Sequence, residues 1–364
     1  MNVNANRLRA LTVGTLVATM VPSFVGHSWS AEFVIQISID GLNSRTMQAV
    51  VDAGQAPTLE RLQREGAWTA NARTDFTHTI TLSNHTCMLT GRPVLQPEAM
   101  PGAVYHGWTI NDIVPADATL HNTGNPEAGY IASVFDVVHD AGRSTALFAS
   151  KDKFIVYDQS YNEHAGAGNY HGRDKIDSYC FLDDGPPRHC VGLNRQFLAE
   201  MGQRHFTYSF LHYRDTDTAG HKYGWESDEY RAAIATVDEY LAEIVHGIES
   251  DPALAGRTAI IVTTDHGGTS YNHADAQVSA NYTIPVFVWG CDVGSGDLYA
   301  MNAWTRKDPG TTRPDYLAHP QPIRNGDTGN LALQLLGLGS IPGSTINAQQ
   351  DLGATKEKKA DAAH

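Results

Sequence analysis

The chain has little that would hold a nucleic-acid backbone. Only 26 Lys and Arg stand against 40 Asp and Glu, the formal charge is −14, and the basic residues form no long run. Phosphate scaffolds are gripped by clustered cations, so DNA or RNA is excluded as a structural partner. Proline is sparse at 16 beside 33 Gly, and hydrophobic residues make up 41%, which excludes collagen-like and bulk-disordered chains. No internal repeat is present. Long apolar runs are missing as well: the stretch from Ala10 to Val25 is shorter than the roughly 20 residues of a spanning helix and is broken by Pro22. Cysteine is scarce, at 4 in 364 residues.

What is present begins with Arg7 and Arg9 ahead of that apolar stretch and with the small residues Ser28 and Ser30 before Ala31. This is the pattern of a secretory signal peptide over residues 1–30, and the expectation is an exported protein, periplasmic or secreted, with no stable membrane anchor after cleavage. In an oxidising compartment Cys180 and Cys190, which flank Gly185-Pro186-Pro187, are expected to pair as a disulfide. Cys87 and Cys291 sit among apolar residues and read as inert thiols.

Strand and helix patterns alternate along the chain. Phe33 to Ile39, Ser144 to Phe148, Phe206 to His212, Thr258 to Thr263 and Ile284 to Trp289 are short apolar runs that read as buried strands. Between them lie helical patterns at Met47 to Val51, Leu59 to Glu65 with Pro57 in a first turn, Ala132 to His139 and Asn194 to Met201. The clearest helix spans Ser227 to Ile248, where Tyr230, Ile234, Val237, Leu241, Val245 and Ile248 recur at steps of three and four. Thr328 to Leu336 reads as a closing helix. Residues 151–193 lose periodicity and read as a loop-rich cap. The pattern predicts an α/β domain over residues 31–350 and a solvated tail over 351–364.

Chemistry concentrates where the predicted strands end. Asp40 follows the first strand, Asp217 and His221 stand four apart after another, and Asp265-His266 follow Thr258 to Thr264. Carboxylates and imidazoles without thiolates suit a catalytic zinc or manganese ion. The adjacent Gly267-Gly268 is expected to let the backbone approach a ligand. Thr79, Thr81 and Ser83 are hydroxyls ahead of a helical stretch, where free N–H groups favour a phosphate or an alkoxide, and the pattern alone does not choose among them.

The run of Asp40-Gly41, Thr81-Leu82-Ser83-Asn84-His85 with Leu89-Thr90-Gly91, Asp217-Thr218-Ala219-Gly220-His221 and Thr264-Asp265-His266-Gly267 resembles the alkaline phosphatase superfamily. It is most similar to the type I phosphodiesterase/nucleotide pyrophosphatase branch, with Leu82 and Ser83 departing from that branch's Thr-Phe-Pro-Asn-His. The resemblance implies a three-layer sandwich around a mostly parallel sheet and two divalent ions, expected to be zinc. One ion would be held by Asp217, His221 and His273, the last preferred over His319 because it precedes a strand; the other would be held by Asp40, Asp265, His266 and Thr81. Thr81 would be the nucleophile, forming a phospho-threonine, with Asn111 and the backbone N–H near Leu82 on the phosphoryl oxygens. The implied substrate is a small phosphate ester or nucleotide.

Ser150-Lys151-Asp152-Lys153 resembles the Lys-Asp-Arg element of some Thr-dependent periplasmic alkaline phosphatases, with Lys153 in place of Arg. A phosphomonoesterase using Lys151 and Lys153 for phosphate is therefore the alternative, and a secreted metal-binding protein without turnover is the third reading. Tyr157, Tyr161, Tyr170 and Tyr179 either stack on a substrate or form a small core of their own. A sulfatase is excluded, because Cys87-Met88-Leu89-Thr90-Gly91 lacks the Cys-x-Pro-x-Arg frame.

Overall fold

The β-branched runs of the sequence form the centre of the fold in a computed structural model that describes residues 31–164 and 174–355. In chain order the elements are β1 (Phe33–Ile39), α1 (Ser44–Asp52), α2 (Pro57–Glu65), β2 (Ala67–Arg73), α3 (Thr81–Thr90), α4 (Val134–Asp140) and β3 (Thr145–Ala149). A single 3₁₀ turn at Asp152–Phe154 leads into α5 (Ile155–Tyr161), β4 (Ser178–Phe181), α6 (Val191–Arg204), β5 (Tyr208–Tyr213), α7 (Asp215–Tyr223) and α8 (Asp228–Ser250). The remainder comprises β6 (Thr258–Thr263), α9 (Ser279–Tyr282), β7 (Thr283–Gly290), β8 (Gly296–Asp297), α10 (Leu298–Met301) and α11 (Asp327–Leu335).

These strands make one sheet in the order β4-β3-β5-β1-β6-β7-β2-β8. From β4 to β6 every pairing is parallel, and β7 runs antiparallel to both of its neighbours. Alternation along the strands feeds two cores. Val34, Phe210 and Ile261 pack with α3, α4, α5 and α11 on one face, while Ile35, Ile37 and Leu211 pack with α1, α2, α6 and α8 on the other. The six periodic residues of α8 are all buried, and the Ser227 side chain caps the helix by accepting the Tyr230 N–H. The three-layer α/β architecture is the expected one.

Several expectations give way. Within the cap range 151–193, of which 165–173 lie outside the described residues, β4 docks on β3 in register, Phe148 against Cys180, and forms the sheet's edge. Tyr157 and Tyr161 are fully buried core residues, Tyr179 lines a cleft described below, and Tyr170 lies outside the described residues. The expected Cys180–Cys190 disulfide is not formed. Cys190 instead turns into the core at the start of α6, where its sulfur accepts the Arg214 N–H at 3.4 Å, and Cys180 is held on β4. The chain also stays packed past residue 350: Leu352 and Ala354 are buried and the Gly294 N–H donates to Ala354 O. The signal-peptide segment 1–30 and the tail 356–364 lie outside the described residues. Among the described residues no helix is long and apolar enough to cross a membrane.

His106 gives the fold an acid-sensitive point. It is fully buried; its Nδ1 accepts the Trp108 N–H at 3.0 Å and its Nε2 faces Cys87 Sγ at 3.4 Å. Burial pushes its imidazole down to about 3. The unfolded chain takes up this proton near pH 6.5 and the folded chain does not. The stability it contributes is therefore fully present above about pH 6.5 and falls as the pH drops toward 3, by about 2 kcal/mol between pH 7 and 5. Urea midpoints measured across this range should decline in the parent and less steeply in His106→Gln; parallel curves would assign the decline to other groups.

Candidate active site

Sheet order assembles the site. β3, β5, β1 and β6 are adjacent and parallel, so their C-terminal ends lie side by side, where open α/β sheets place ligands. Lys151 follows β3, His212 is the penultimate residue of β5, Asp217 lies in the first turn of α7, Asp40 follows β1, and Asp265-His266 follow β6. All are buried, the three carboxylates being at most 5% exposed.

The carboxylates are held on one side and open on the other. Asp40 Oδ2 accepts from His212 Nε2 at 2.8 Å and from Lys151 Nζ at 2.7 Å, and Asp217 Oδ2 accepts from the same Nζ at 2.7 Å. Asp265 Oδ1 accepts from the Gly41 N–H at 3.1 Å and the Thr264 hydroxyl at 3.2 Å. Asp40 Oδ1, Asp217 Oδ1 and Asp265 Oδ2 remain buried without a hydrogen-bond partner.

Three histidines repeat one arrangement. The Nδ1 atoms of His221, His266 and His273 face the carbonyls of Tyr271, Gly267 and Thr79 at 3.1, 2.8 and 2.6 Å, which assigns the proton to Nδ1. Each Nε2 then turns inward: His266 toward Asp265 Oδ2 at 3.1 Å and Asp40 Oδ1 at 3.6 Å, His221 and His273 toward Asp217 Oδ1 at 3.3 and 3.8 Å. The His221 and His273 Nε2 atoms are 3.1 Å apart. Backbone-anchored imidazoles turned on orphaned carboxylate oxygens are donors of the kind that can hold a divalent cation. Asp217, His266 and His273 converge as one ligand group and Asp40, Asp265 and His266 as another, with the half-exposed His221 beside the first.

Electrostatics agree. Burial alone would raise the Asp40 carboxyl, but Lys151, His212 and His266 hold it well below the usual range. Burial would lower His266, yet Asp265 and Asp40 hold it up to about 9, a proton standing where positive charge is demanded. His273 is pushed down to about 4 by burial and by His266, so it presents a lone pair at neutral pH.

The hydroxyl candidates separate. The Thr79 hydroxyl donates to His273 O at 2.5 Å and Ser83 to Trp108 O at 2.9 Å. Thr81 opens α3 with its hydroxyl committed to no such bond among the described residues. Its carbonyl accepts from His85 Nδ1 at 2.7 Å, and His85 Nδ1 lies 3.6 Å from Asp265 Oδ2, tying the start of α3 to the carboxylates. Asn111 is close by, but the Leu82 N–H donates to its Oδ1 at 2.9 Å. This N–H, expected near a phosphoryl oxygen, orients Asn111 in the structure. Lys153 reinforces this by donating to Asn111 O at 2.9 Å and Oδ1 at 3.3 Å.

Gly267 and Gly268 serve packing rather than a ligand. A Cβ there would stand 2.0 Å from Ala280 O and 2.1 Å from the Trp225 ring. His319 lines a separate cavity with Met100 and Asn347. Sequence reasoning missed His212 and His85, whose signal was their place at a strand end and one turn into α3. A cleft of about 700 Å³ opens beside Lys151 and Asp217, walled by Ile113, Tyr179 and Phe181 and by Lys153 and Arg214.

The family model described as type I phosphodiesterase / nucleotide pyrophosphatase matches residues 34–96 and 124–294. GPI ethanolamine phosphate transferase 1 of Mus musculus is 26% identical over 288 residues, 76% of this chain and 28% of that protein, so the chain spans little more than a quarter of its relative. Among solved structures, murine ectonucleotide pyrophosphatase / phosphodiesterase 5 superposes with a TM-score of 0.55 at 14% identity, covering 88% of this chain and 100% of that one. Wild-type alkaline phosphatase PafA gives 0.58 at 11% identity, covering 89% and 99%.

Proposed function

The chain belongs to the type I phosphodiesterase / nucleotide pyrophosphatase family, and from that premise we propose that it is a phosphoric ester hydrolase working through Thr81 at a two-zinc site. The observation that carries this reading is the convergence of three orphaned carboxylate oxygens with three backbone-anchored imidazoles. Asp217, His221 and His273 would hold one ion and Asp40, Asp265 and His266 the other; mixed oxygen and nitrogen donors without thiolate suit catalytic zinc. When bound, two such ions supply Lewis-acid stabilisation of the entering and leaving oxygens.

The chain's own groups do the rest. Thr81 Oγ attacks phosphorus, the Oγ–P bond forming as the ester P–O bond breaks, with the threonine proton passing to solvent and the leaving oxygen taking one up. Water then cleaves the phospho-threonine and restores the hydroxyl. Asn111, its Oδ1 occupied by Leu82 and Lys153, has Nδ2 to donate to a non-bridging oxygen, a contact worth about 2.7–4 kcal/mol in the transition state.

The cleft of about 700 Å³ supports a substrate with a second substituent. It falls within the range of small-molecule sites, and its apolar wall suits an organic group better than bare phosphate does. The zinc-loaded protein should therefore favour bis-p-nitrophenyl phosphate over p-nitrophenyl phosphate by at least about tenfold in kcat/KM, or about 1.4 kcal/mol. A preference for the monoester would replace this reading with the phosphomonoesterase one. The mouse relative supports a second reading, in which an acceptor alcohol rather than water takes the phosphoryl group; turnover rising with added alcohol, with the alcohol ester as product, would favour it. The N-terminal pattern of residues 1–30 supports an exported enzyme.

A further inference from the structure

Lys151 lines the cleft, but its ammonium is committed to carboxylates of the two candidate ligand groups. It is buried, and its Nζ reaches Asp40 Oδ2 and Asp217 Oδ2 at 2.7 Å each. These carboxylates belong to different groups. In each, the oxygen that Lys151 does not hold is the buried, partnerless Oδ1, and each of those faces an imidazole Nε2. One side chain therefore sets the rotation of two carboxylates and leaves one oxygen of each available. Lys153 does similar work on Asn111. Both lysines of the Lys-Asp-Lys segment thus hold other side chains of the site.

We propose that Lys151 is a positioning residue that couples the two metal sites, clamping Asp40 and Asp217 so that each presents a single oxygen to its ion. The proposal rests on the two-ion reading above. It differs from the sequence-based alternative, in which Lys151 grips substrate phosphate. Asymmetry follows from the partners: Asp40 Oδ2 also accepts from His212 Nε2 at 2.8 Å, whereas Asp217 Oδ2 has Lys151. Removing the lysine frees Asp217 to swing and leaves Asp40 braced, so the Asp217 site should weaken most. A neighbouring positive charge would by itself oppose metal binding, and its removal would tighten both sites. The sign of the change therefore separates a clamp from a mere placeholder cation.

The test is zinc titration of the full, metal-free chain by chelator competition, in the parent and in Lys151→Met, Lys151→Gln and Lys151→Arg. The parent should take two ions. Met and Gln should each retain one near parental affinity and lose about 10- to 100-fold on the other, the usual cost of removing an outer-shell partner. Arg, which can still donate to both carboxylates, should recover most of that loss. Inhibition by inorganic phosphate, measured on the same proteins at saturating zinc, should change by less than about threefold. Equal or tighter zinc binding at both sites in Met and Gln overturns the clamp while leaving the two-ion reading intact. Unchanged zinc binding with strongly weakened phosphate inhibition returns Lys151 to the substrate. A parent that takes up no zinc overturns both readings. If Met does not fold, Gln and Arg carry the same comparison.

Discussion

Thr81→Ala should lower kcat/KM by at least about a thousandfold, about 4 kcal/mol of transition-state stabilisation, while the protein keeps its fold and its zinc. The size of the effect follows from the role. A nucleophile that forms a covalent bond has no substitute in alanine, and what survives is the activity of the remaining site with water. Retention of structure follows from position. Thr81 opens α3, a place where alanine is tolerated, and its carbonyl contact with His85 belongs to the backbone. Thr81→Ser should keep measurable turnover, because it keeps the hydroxyl. Intact protein mass after brief exposure to a slow diester gives a second readout: a gain of one phosphoryl ester in the parent and none in Thr81→Ala. Turnover surviving in the alanine variant would show that another group attacks phosphorus. No turnover in the parent, with zinc still bound, would return the chain to the reading of a secreted metal-binding protein.

Removing metal should have the second large effect. Dialysis against a strong chelator is expected to abolish hydrolysis, and stoichiometric zinc to restore it. The reason lies in the charge left behind. Asp40, Asp217 and Asp265 are buried together, and without ions Lys151 and protonated imidazoles stand in to balance them. Ions that bind the folded chain also stabilise it, by about 2.7 kcal/mol for each site at a free concentration a hundred times its Kd. The melting temperature should therefore rise with zinc, in two steps if the affinities differ. Asp265→Asn should lose catalysis and one step of this rise, because the amide keeps the shape but gives up the anionic oxygen beside His266. Full activity in chelator, with no zinc found by elemental analysis, would exclude the two-ion reading.

Much of this molecule is legible along the chain. β1, β6 and β7 are short apolar β-branched runs, and α8 carries its period plainly, so local preference and burial agree. Asp40 and Asp265-His266 announce themselves by ending such runs. β2 does not, since Ala67–Arg73 lacks an apolar run and owes its extended form to antiparallel pairing with β7. β4 is similar, a four-residue strand made by its neighbour β3.

The residue types that bind metal, and their place at strand ends, were determined by the sequence itself, because hydrophobic runs and the acids that stop them are local features. Which of them meet was decided by the sheet. His212 reaches Asp40 across 172 positions, Lys151 reaches Asp217 across 66, and Leu82 finds Asn111 across 29. No local pattern encodes such pairs. They arise because β3, β5, β1 and β6 align in parallel and bring their ends together, and because a buried carboxylate must find a donor there or pay for its charge unpaired.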